Sequence, residues 1–280
     1  MKVFIDSAKI NEIRQAKEWG MLDGVTTNPS LLKKAVDDLV KKGKKLDIES
    51  YLKQILKAVG KKPVSLEVVG SDYDEMIKEG LKIYKIFNGV SKNVYVKIPV
   101  NPCLDGSCSK ATDGIRAIKY LSDRKIPVNC TLIFTPEQAL LAAKAGAKFV
   151  SPFVGREDDY IREMNRIQFG KEEYYPAKGV KKLKKIMNDN GIVSGVDLIK
   201  EIRELFDIQK VKGCEILAAS IRNTRQFREV AIAGADIATL PFSVMGNLLS
   251  HPKSEEGMRK FTQDIVPEYA KLVGLKVGKK

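Results

Sequence analysis

The sequence predicts an α/β protein: a single (β/α)8 TIM barrel with extra helices. Eight short runs rich in β-branched and aromatic residues recur along the 280-residue chain, and amphipathic or charged stretches separate them. Strands that alternate with helices pair in parallel, and eight such units close naturally into a barrel. The alternative is an open doubly wound sheet. That fold usually has a glycine-rich loop after its first strand, whereas this first strand ends in Asp6-Ser7-Ala8-Lys9.

Each predicted strand is a short run bounded by polar or turn-forming residues. The eight runs are, in order, Lys2–Asp6, Gly24–Thr27, Val64–Val69, Val94–Pro99, Pro127–Phe134, Phe149–Val154, Glu215–Ser220 and Ile237–Leu240. Among the segments between them, 71–87 has apolar residues at helical spacing. Thr135-Pro136-Glu137-Gln138 predicts a capping box with proline at the first helical position, and Gly146 ends that helix.

Two segments exceed what a minimal barrel needs. Residues 157–192, between the sixth and seventh strands, predict a charged helical insert. Residues 242–280 predict C-terminal helices, over 242–250 and 255–275. We expect one barrel domain over 1–280 that includes both additions, because no repeat or low-complexity segment divides the chain.

The net charge of +14 fits either a solvated surface or a partner that carries negative charge. Nucleic-acid binding usually gathers lysines and arginines on one face, but here they are spread along the chain, so we expect no nucleic-acid partner. A basic field also attracts phosphorylated metabolites. No run approaches 18 apolar residues, and Asp6 comes too early for a secretory leader. We therefore expect no membrane partner and a cytoplasmic location.

The four cysteines favour reduced thiols over a redox or metal site. Cys103 and Cys108 lie too far apart in sequence for a Cys-x-x-Cys pair, and the chain has a single histidine, His251, which we expect at the surface. No metal site is therefore expected. A local Cys103–Cys108 disulfide is the less favoured alternative.

Lys97 is the most informative single residue, because it lies within the strand-like run Val94-Tyr95-Val96-Lys97-Ile98-Pro99. Desolvation among such neighbours disfavours the ammonium form and lowers a lysine pKa. A neutral amine attacks carbonyls, so Lys97 is the candidate Schiff-base residue. The structural alternative is a lysine that extends to solvent from the strand end.

Polar residues recur at the carboxyl ends of the predicted strands, where barrels of this kind place their chemistry. Seven of the eight strands contribute them: Asp6, Thr27, Asn28, Glu67, Lys97, Asn129, Thr131, Ser151, Arg156, Ser220 and Arg222. Each has a structural alternative. Asn28 could serve merely as a helix cap, and Asp6 could merely pair with a neighbouring lysine. Thr131 is a common strand residue that needs no function.

Arg156, Ser220 and Arg222 predict a phosphate site. Arginine presents a planar fork to phosphate oxygens, and Ser220-Ile221-Arg222-Asn223-Thr224 leads from a strand end into a helix start. Barrels frequently bind phosphate at the loops after strands seven and eight. The residues alone therefore indicate a phosphorylated carbonyl substrate beside a desolvated lysine. This is a class I, Schiff-base aldolase or transferase, which needs no cofactor because the iminium is the electron sink.

Five motifs together resemble the transaldolase family, in its short transaldolase and fructose-6-phosphate aldolase branch. They are Gly24-Val-Thr-Thr-Asn-Pro-Ser30, Val96-Lys-Ile-Pro99, Asn129-Cys-Thr-Leu-Ile-Phe134, Ser151-Pro-Phe-Val-Gly-Arg156 and Ala218-Ala-Ser-Ile-Arg-Asn223. The resemblance runs from Asp6 to about residue 240.

The resemblance implies a role for each candidate residue. Lys97 would form the Schiff base, Asp6 would be the acid/base, and Glu67 would move protons through a water held by Thr131. The substrate-binding residues would be Asn28, Thr27, Asn129, Ser151 and Phe153, and the phosphate ligands Arg156, Ser220 and Arg222. The reaction would be a step of the pentose phosphate pathway in carbohydrate metabolism. It would transfer dihydroxyacetone from sedoheptulose 7-phosphate to glyceraldehyde 3-phosphate, giving erythrose 4-phosphate and fructose 6-phosphate.

Within the family, Glu67 and Phe153 favour a transaldolase, because the fructose-6-phosphate aldolases have glutamine and tyrosine at these positions. An aldolase of that type and a non-catalytic sugar-phosphate-binding barrel are the alternatives. The loop over 100–110 and the 157–192 insert depart from the short members. The resemblance also implies a homo-oligomer, a pentamer or decamer, assembled through the C-terminal helix.

Overall fold

Eight parallel strands close into a barrel in the computed structural model, which describes residues 1–41, 43, 47–104 and 108–274. The barrel strands are β1 Lys2–Asp6, β2 Gly24–Thr26, β3 Val64–Glu67, β4 Val94–Pro99, β5 Val128–Ile133, β6 Phe149–Pro152, β9 Glu215–Ala218 and β10 Ile237–Leu240. Their spatial order is β1-β10-β9-β6-β5-β4-β3-β2, with β2 hydrogen-bonded to β1. The predicted (β/α)8 barrel is therefore confirmed.

Helices follow the strands around the barrel. They are α1 Ile10–Glu18, α2 Pro29–Val40, α3 Ile48–Val59, α4 Tyr73–Ser91, α5 Asp113–Asp123, α6 Pro136–Lys144, α7 Val154–Met164, α8 Gly195–Ile208, α9 Thr224–Ile232 and α10 Phe242–Asn247. The capping box predicted at α6 is present: Thr135 Oγ1 accepts from the Gln138 amide at 3.2 Å, and Gln138 Oε1 accepts from the Thr135 amide at 3.3 Å. Among the described residues, no helix is long and apolar enough to cross a membrane.

Aromatic rings fill the barrel interior beside the polar mouth. The Phe149 ring stacks on Tyr95, with 4.6 Å between centroids, and meets Phe4 edge-on at 5.9 Å. Gly24 makes room for this layer, because a Cβ there would overlap the Phe4 ring. Full burial of one such side chain stabilises the fold by about 1.5–3 kcal/mol. The packed layer therefore gives the strand ends above it a rigid base.

The 157–192 segment is helical only in its first part, which corrects the predicted helical insert. Helix α7 ends at Met164, and a short antiparallel hairpin follows, with strands β7 Lys181–Lys182 and β8 Lys185–Ile186. Glycines and Pro176 interrupt helical propensity here, and Leu183 and Lys184 at the hairpin turn have φ values of 49° and 65°. The segment still has an apolar centre, where Ile161, Tyr175 and Met187 pack together.

Within the described part of the chain, the residues from 246 onward form a compact unit separate from the barrel unit that ends at residue 245. Its helices are α11 Pro252–Gln263 and α12 Pro267–Leu272, where the sequence predicts one helix over 255–275. Pro267, at the first position of α12, breaks the predicted helix because proline cannot donate an interior helical hydrogen bond. Residues 275–280 lie outside the described residues. His251 is exposed, as expected, and its Nδ1 caps α11 by accepting from the Lys253 amide.

Cys103 and Cys108 form a disulfide, which corrects the prediction of reduced thiols at these two positions. A spacing that is too wide for a Cys-x-x-Cys pair does not exclude a local bridge, and the two Cα atoms lie 5.9 Å apart, within the usual range for a disulfide. Residues 105–107 of this loop lie outside the described residues. Cys130 and Cys214 are free thiols.

Candidate active site

Lys97 and Glu67 form an ion pair at the mouth of the barrel. The parallel register places Glu67 on β3 beside Lys97 on β4, and Lys97 beside Asn129 on β5. Lys97 Nζ lies 3.0 Å from Glu67 Oε2 and 3.4 Å from the Thr27 carbonyl oxygen. Lys97 is only 5% exposed, so the desolvated position expected from the strand pattern is what the fold provides.

Asp6 lies at the end of β1, where a chain of hydroxyl groups fixes its carboxylate. Thr26 Oγ1 donates to Asp6 Oδ1 at 2.7 Å and shares a 2.6 Å hydrogen bond with Thr239 Oγ1. Burial raises the pKa of Asp6, against the opposing effects of Lys97, the Thr26 hydroxyl and Arg156. Thr239 was missed by sequence reasoning, which assigned polar groups to only seven strands. It is the single polar residue of Ile237-Ala-Thr-Leu240, so a search for lone polar residues in apolar strands would have found it.

A buried hydrogen-bonded chain crosses strands β6, β5 and β3. Ser151 Oγ donates to Asn129 Oδ1 at 2.6 Å, and Asn129 Nδ2 donates to Ser65 Oγ at 3.0 Å. All three side chains are at most 1% exposed. A chain this short and buried holds the Ser151 hydroxyl in one orientation.

Thr131 Oγ1 is buried and has no hydrogen-bond partner among the described residues. The next residue, Leu132, has a φ of 59°, and the register between β5 and β6 shifts at this point. A leucine in the left-handed region is strained. Such a strained bulge beside an orphan hydroxyl is typical of a site that binds a water or a ligand group.

The predicted residues surround a small cavity of about 80 Å³. Those that line it are Asp6, Asn28, Lys97, Ser151, Phe153, Arg156 and Ser220, together with Thr26, Leu217, Ala219 and Thr239. Thr27, Asn129 and Thr131 are not among the lining residues, and each is at most 4% exposed. Glu67 is likewise outside the lining but contacts Lys97, which belongs to it. Asn28 lines this cavity and also caps α2, because its Oδ1 accepts from the Leu31 amide at 2.9 Å.

The three predicted phosphate ligands divide between two adjoining pockets. Ser220 lines the small cavity and has a φ of 60°, while its carbonyl oxygen accepts from the Gly155 amide at 3.1 Å. Arg156 lines both that cavity and a second pocket of about 490 Å³. Of these two pockets, Arg222 lines the second, and its Nη2 donates to Asp159 Oδ2 at 2.5 Å. Asp159 was also missed, because only the fold brings α7 beside the loop after β9.

Two carboxyl groups beside Arg156 on α7 are strongly perturbed. Burial, with the charges of Asp189 and Asp158, raises the pKa of Glu157 to about 8. Burial also raises the pKa of Asp158 to about 7, despite its hydrogen bond from the Gly195 amide. Both groups therefore hold a proton well above the usual carboxyl range.

Among the residues that the structure describes, no three or more His, Cys, Asp or Glu side chains are arranged to hold a metal ion. That the chemistry needs no cofactor stays a prediction.

Comparison with known proteins gives a family match over nearly the whole chain. The family model for transaldolase/fructose-6-phosphate aldolase matches residues 3–275. A protein of Thermoplasma acidophilum named as a probable transaldolase is 42% identical over 264 residues, which cover 94% of this chain and 95% of that protein. A protein of the same name from Sulfurihydrogenibium sp. is 40% identical over 270 residues, covering 96% and 99% of the two chains.

A solved structure of a Pediococcus acidilactici protein, named as a lactate oxidase, has a TM-score of 0.50 and 14% identity with this chain. The match covers 89% of this chain and 64% of that one. At this identity the likeness shows the fold alone.

Proposed function

This chain belongs to the transaldolase/fructose-6-phosphate aldolase family, and we propose that it transfers a dihydroxyacetone unit through a Schiff base on Lys97. The donor would be sedoheptulose 7-phosphate and the acceptor glyceraldehyde 3-phosphate, in the pentose phosphate pathway. The products would be erythrose 4-phosphate and fructose 6-phosphate. The observation that carries the proposal is the buried amine of Lys97, which lines the cavity 3.0 Å from a carboxylate that can take its proton.

In the first half-reaction, the neutral Lys97 amine attacks the ketose carbonyl carbon, and loss of water gives an iminium. Glu67, next to Nζ, accepts a proton from the amine and returns one to the departing hydroxyl group, through a water at Thr131. Asp6 then takes the proton from the hydroxyl on the carbon beyond the bond that breaks. The aldose leaves, and the bonding electrons stay with Lys97 as an enamine.

In the second half-reaction, the enamine carbon attacks the acceptor aldehyde, and Asp6 returns its proton to the new alkoxide. Water then hydrolyses the iminium, with Glu67 moving the protons, and the new ketose leaves. The raised pKa of Asp6 suits this double use, because the carboxylate is then a stronger base in the first half-reaction and keeps the proton that it returns in the second.

The small cavity suits the three-carbon unit that stays on the enzyme. Asn28 and Ser151 would bind its hydroxyl groups, and Asn129 would fix Ser151 from behind. Thr27 supports the reacting amine through its carbonyl oxygen. Phe153 gives the cavity an apolar wall, with its ring centroid 6.0 Å from Lys97 Nζ.

The phosphate end of the substrate needs more room than about 80 Å³, because ligand sites usually measure about 300–1,000 Å³. The adjoining pocket of about 490 Å³ begins at Arg156, which lines both spaces. We place the phosphate between Arg156, Ser220 and Arg222. The transferred unit would then lie in the small cavity and the phosphate at its outer edge.

Transfer to an aldehyde is favoured over free aldol cleavage by Glu67 and Phe153. A glutamate can relay protons, whereas the glutamine of the aldolase branch cannot. Phe153 has no hydroxyl group with which to assist release of free dihydroxyacetone. Intact Asp6, Glu67 and Lys97 side chains argue against a non-catalytic barrel.

Assembly and location are further parts of the proposal. Exposed apolar side chains on the C-terminal helices support a homo-oligomer, with Met258 63%, Phe261 71% and Leu272 81% exposed. We propose a pentamer or decamer in the cytoplasm, as the resemblance to the family implies.

Reduction of the Schiff base tests the proposed chemistry. The protein is incubated with fructose 6-phosphate and borohydride, digested and examined by peptide mass spectrometry. We expect a stable secondary-amine adduct on Lys97 and none in Lys97→Met, which should also lose turnover. A folded protein that gives no adduct, or a Lys97→Met variant that keeps turnover, would overturn the proposal.

A further inference from the structure

The side chain of Arg222 is held from one side by an acid that no sequence motif singles out. Arg222 Nη2 donates to Asp159 Oδ2 at 2.5 Å, and the two side chains are 14% and 20% exposed. Among the described residues, Asp159 is the only hydrogen-bond partner of this guanidinium group. An arginine has five N–H donors in a planar fork, so one bond to Asp159 leaves most of the fork available.

Asp158, the residue before Asp159 in α7, fixes the backbone of Arg222 through Gln226. The Arg222 amide donates to Gln226 Oε1 at 2.8 Å, and Gln226 Nε2 donates to Asp158 Oδ2 at 2.7 Å. The Gly195 amide donates to the other oxygen of Asp158 at 2.7 Å. Consecutive residues of α7 thus hold Arg222 twice: Asp158 through the backbone, Asp159 through the guanidinium group.

With these two contacts in place, Arg222 lines the same pocket as Arg156, a residue of α7 like Asp158 and Asp159. Arg156 lines both pockets, and Arg222 lines the larger one next to it. A long arginine side chain loses considerable rotamer freedom when it is held in one position. A partner that holds it before the ligand arrives therefore lowers the entropic cost of binding.

We propose that Asp159 is a positioning residue for the phosphate site: it holds the Arg222 guanidinium so that its free N–H groups face the substrate phosphate. It thereby sets the preference for phosphorylated over unphosphorylated substrates. This inference rests on the proposed function for its substrate, but its phosphate-binding part can be measured without catalysis.

The test compares Asp159→Asn with Asp207→Asn. Asp207 is a matched control, because it pairs with Arg203 Nη2 at 2.7 Å on the exposed face of α8 and its change alters the net charge equally. Inorganic phosphate is titrated into each protein by calorimetry. Turnover is then measured at a saturating concentration of the phosphorylated ketose donor, with glyceraldehyde 3-phosphate and with unphosphorylated glyceraldehyde as acceptors.

We expect Asp159→Asn to weaken phosphate binding about tenfold, the lower end for a hydrogen bond to a charged group. The KM for glyceraldehyde 3-phosphate should rise similarly, while kcat and the turnover of glyceraldehyde stay unchanged. Asp207→Asn should match the wild type, and Asp159→Glu should recover part of the loss.

Three results would overturn the inference. Phosphate binding in Asp159→Asn that equals or exceeds that of the wild type would mean that the carboxylate competes with phosphate. An equal loss with unphosphorylated glyceraldehyde would mean general damage to the site, and a wild type that binds no phosphate would remove the site itself. Failure of the proposed chemistry is seen separately, as the absence of a borohydride adduct on Lys97.

Discussion

Glu67 and Lys97 are register partners on adjacent parallel strands, and their side chains meet with Oε2 3.0 Å from Nζ. The pairing is fixed by the backbone ladder, not by a flexible loop. A carboxylate so placed can take a proton from the amine without any movement of the backbone.

Glu67→Gln should therefore lower kcat by about 10²–10³-fold, within the usual range for loss of a general acid–base group. Glutamine keeps the shape and the hydrogen bond but cannot carry the proton. Stopped-flow measurement of iminium formation checks this, because formation and hydrolysis should slow while the adduct on Lys97 still forms. Unchanged rates would show that another group moves the protons.

Phe153→Tyr should raise the release of free dihydroxyacetone from fructose 6-phosphate in the absence of an acceptor. The Phe153 ring lies 6.0 Å from Lys97 Nζ and 5.0 Å from the Arg156 guanidinium group, so a hydroxyl group added to it would enter the site region. A coupled assay for dihydroxyacetone measures the effect, with transfer to glyceraldehyde 3-phosphate as the internal reference. Release that stays at the wild-type level would show that this position does not separate the two reactions.

The barrel and most of its mouth follow from the sequence because strand ends in a closed parallel sheet must converge. Once the strands that contain Asp6, Lys97 and Ser151 are identified correctly, these three residues are placed at the mouth. Contacts between elements that are distant in sequence do not follow in this way. Asp159 meets Arg222 only because α7 packs beside the loop after β9, and the Cys103–Cys108 bridge depends on a 5.9 Å approach of two Cα atoms that the sequence spacing does not fix.

Stability should fall as the pH rises from about 5 to 8, and Glu157→Gln should reduce that fall. The pKa of Glu157 is raised to about 8, so the native state keeps a proton that the unfolded state releases near 4.5. The unfolded state then binds fewer protons, and the free energy of unfolding decreases with pH across this window. Asp158, raised to about 7, acts in the same direction.

Thermal unfolding at several pH values measures this effect. The wild type and Glu157→Gln should have similar slopes below about pH 4.5, and the variant should gain at least about 3 °C in Tm by pH 8. Glu163→Gln, the same change on the exposed side of α7, should follow the wild type throughout. Parallel curves for all three proteins would show that Glu157 ionises normally in the folded chain.

Gly155→Ala should weaken phosphate binding by displacing Arg222. A Cβ at Gly155 would lie 2.5 Å from Arg222 Nε and would also overlap the Ser220 carbonyl oxygen. The arginine must then move off its position, so the KM for phosphorylated acceptors should rise about tenfold, comparable to losing a charged hydrogen bond. Steady-state kinetics with glyceraldehyde 3-phosphate, alongside a phosphate titration, measures the change.

Gly89→Ala is the matched control, because Gly89 lies in α4 and nothing lies within 4 Å of a Cβ built there. That change should leave the kinetics unaltered and stabilise the helix by up to about 1 kcal/mol. If Gly155→Ala is folded and binds phosphate as the wild type does, then Arg222 is not confined by this glycine. Asp159 holds the guanidinium group of Arg222, and Gly155 leaves space for the rest of that side chain. Asp159→Asn and Gly155→Ala should therefore both raise the KM for glyceraldehyde 3-phosphate. Because the two changes act on one arginine, the double variant should raise that KM by less than the product of the two separate effects.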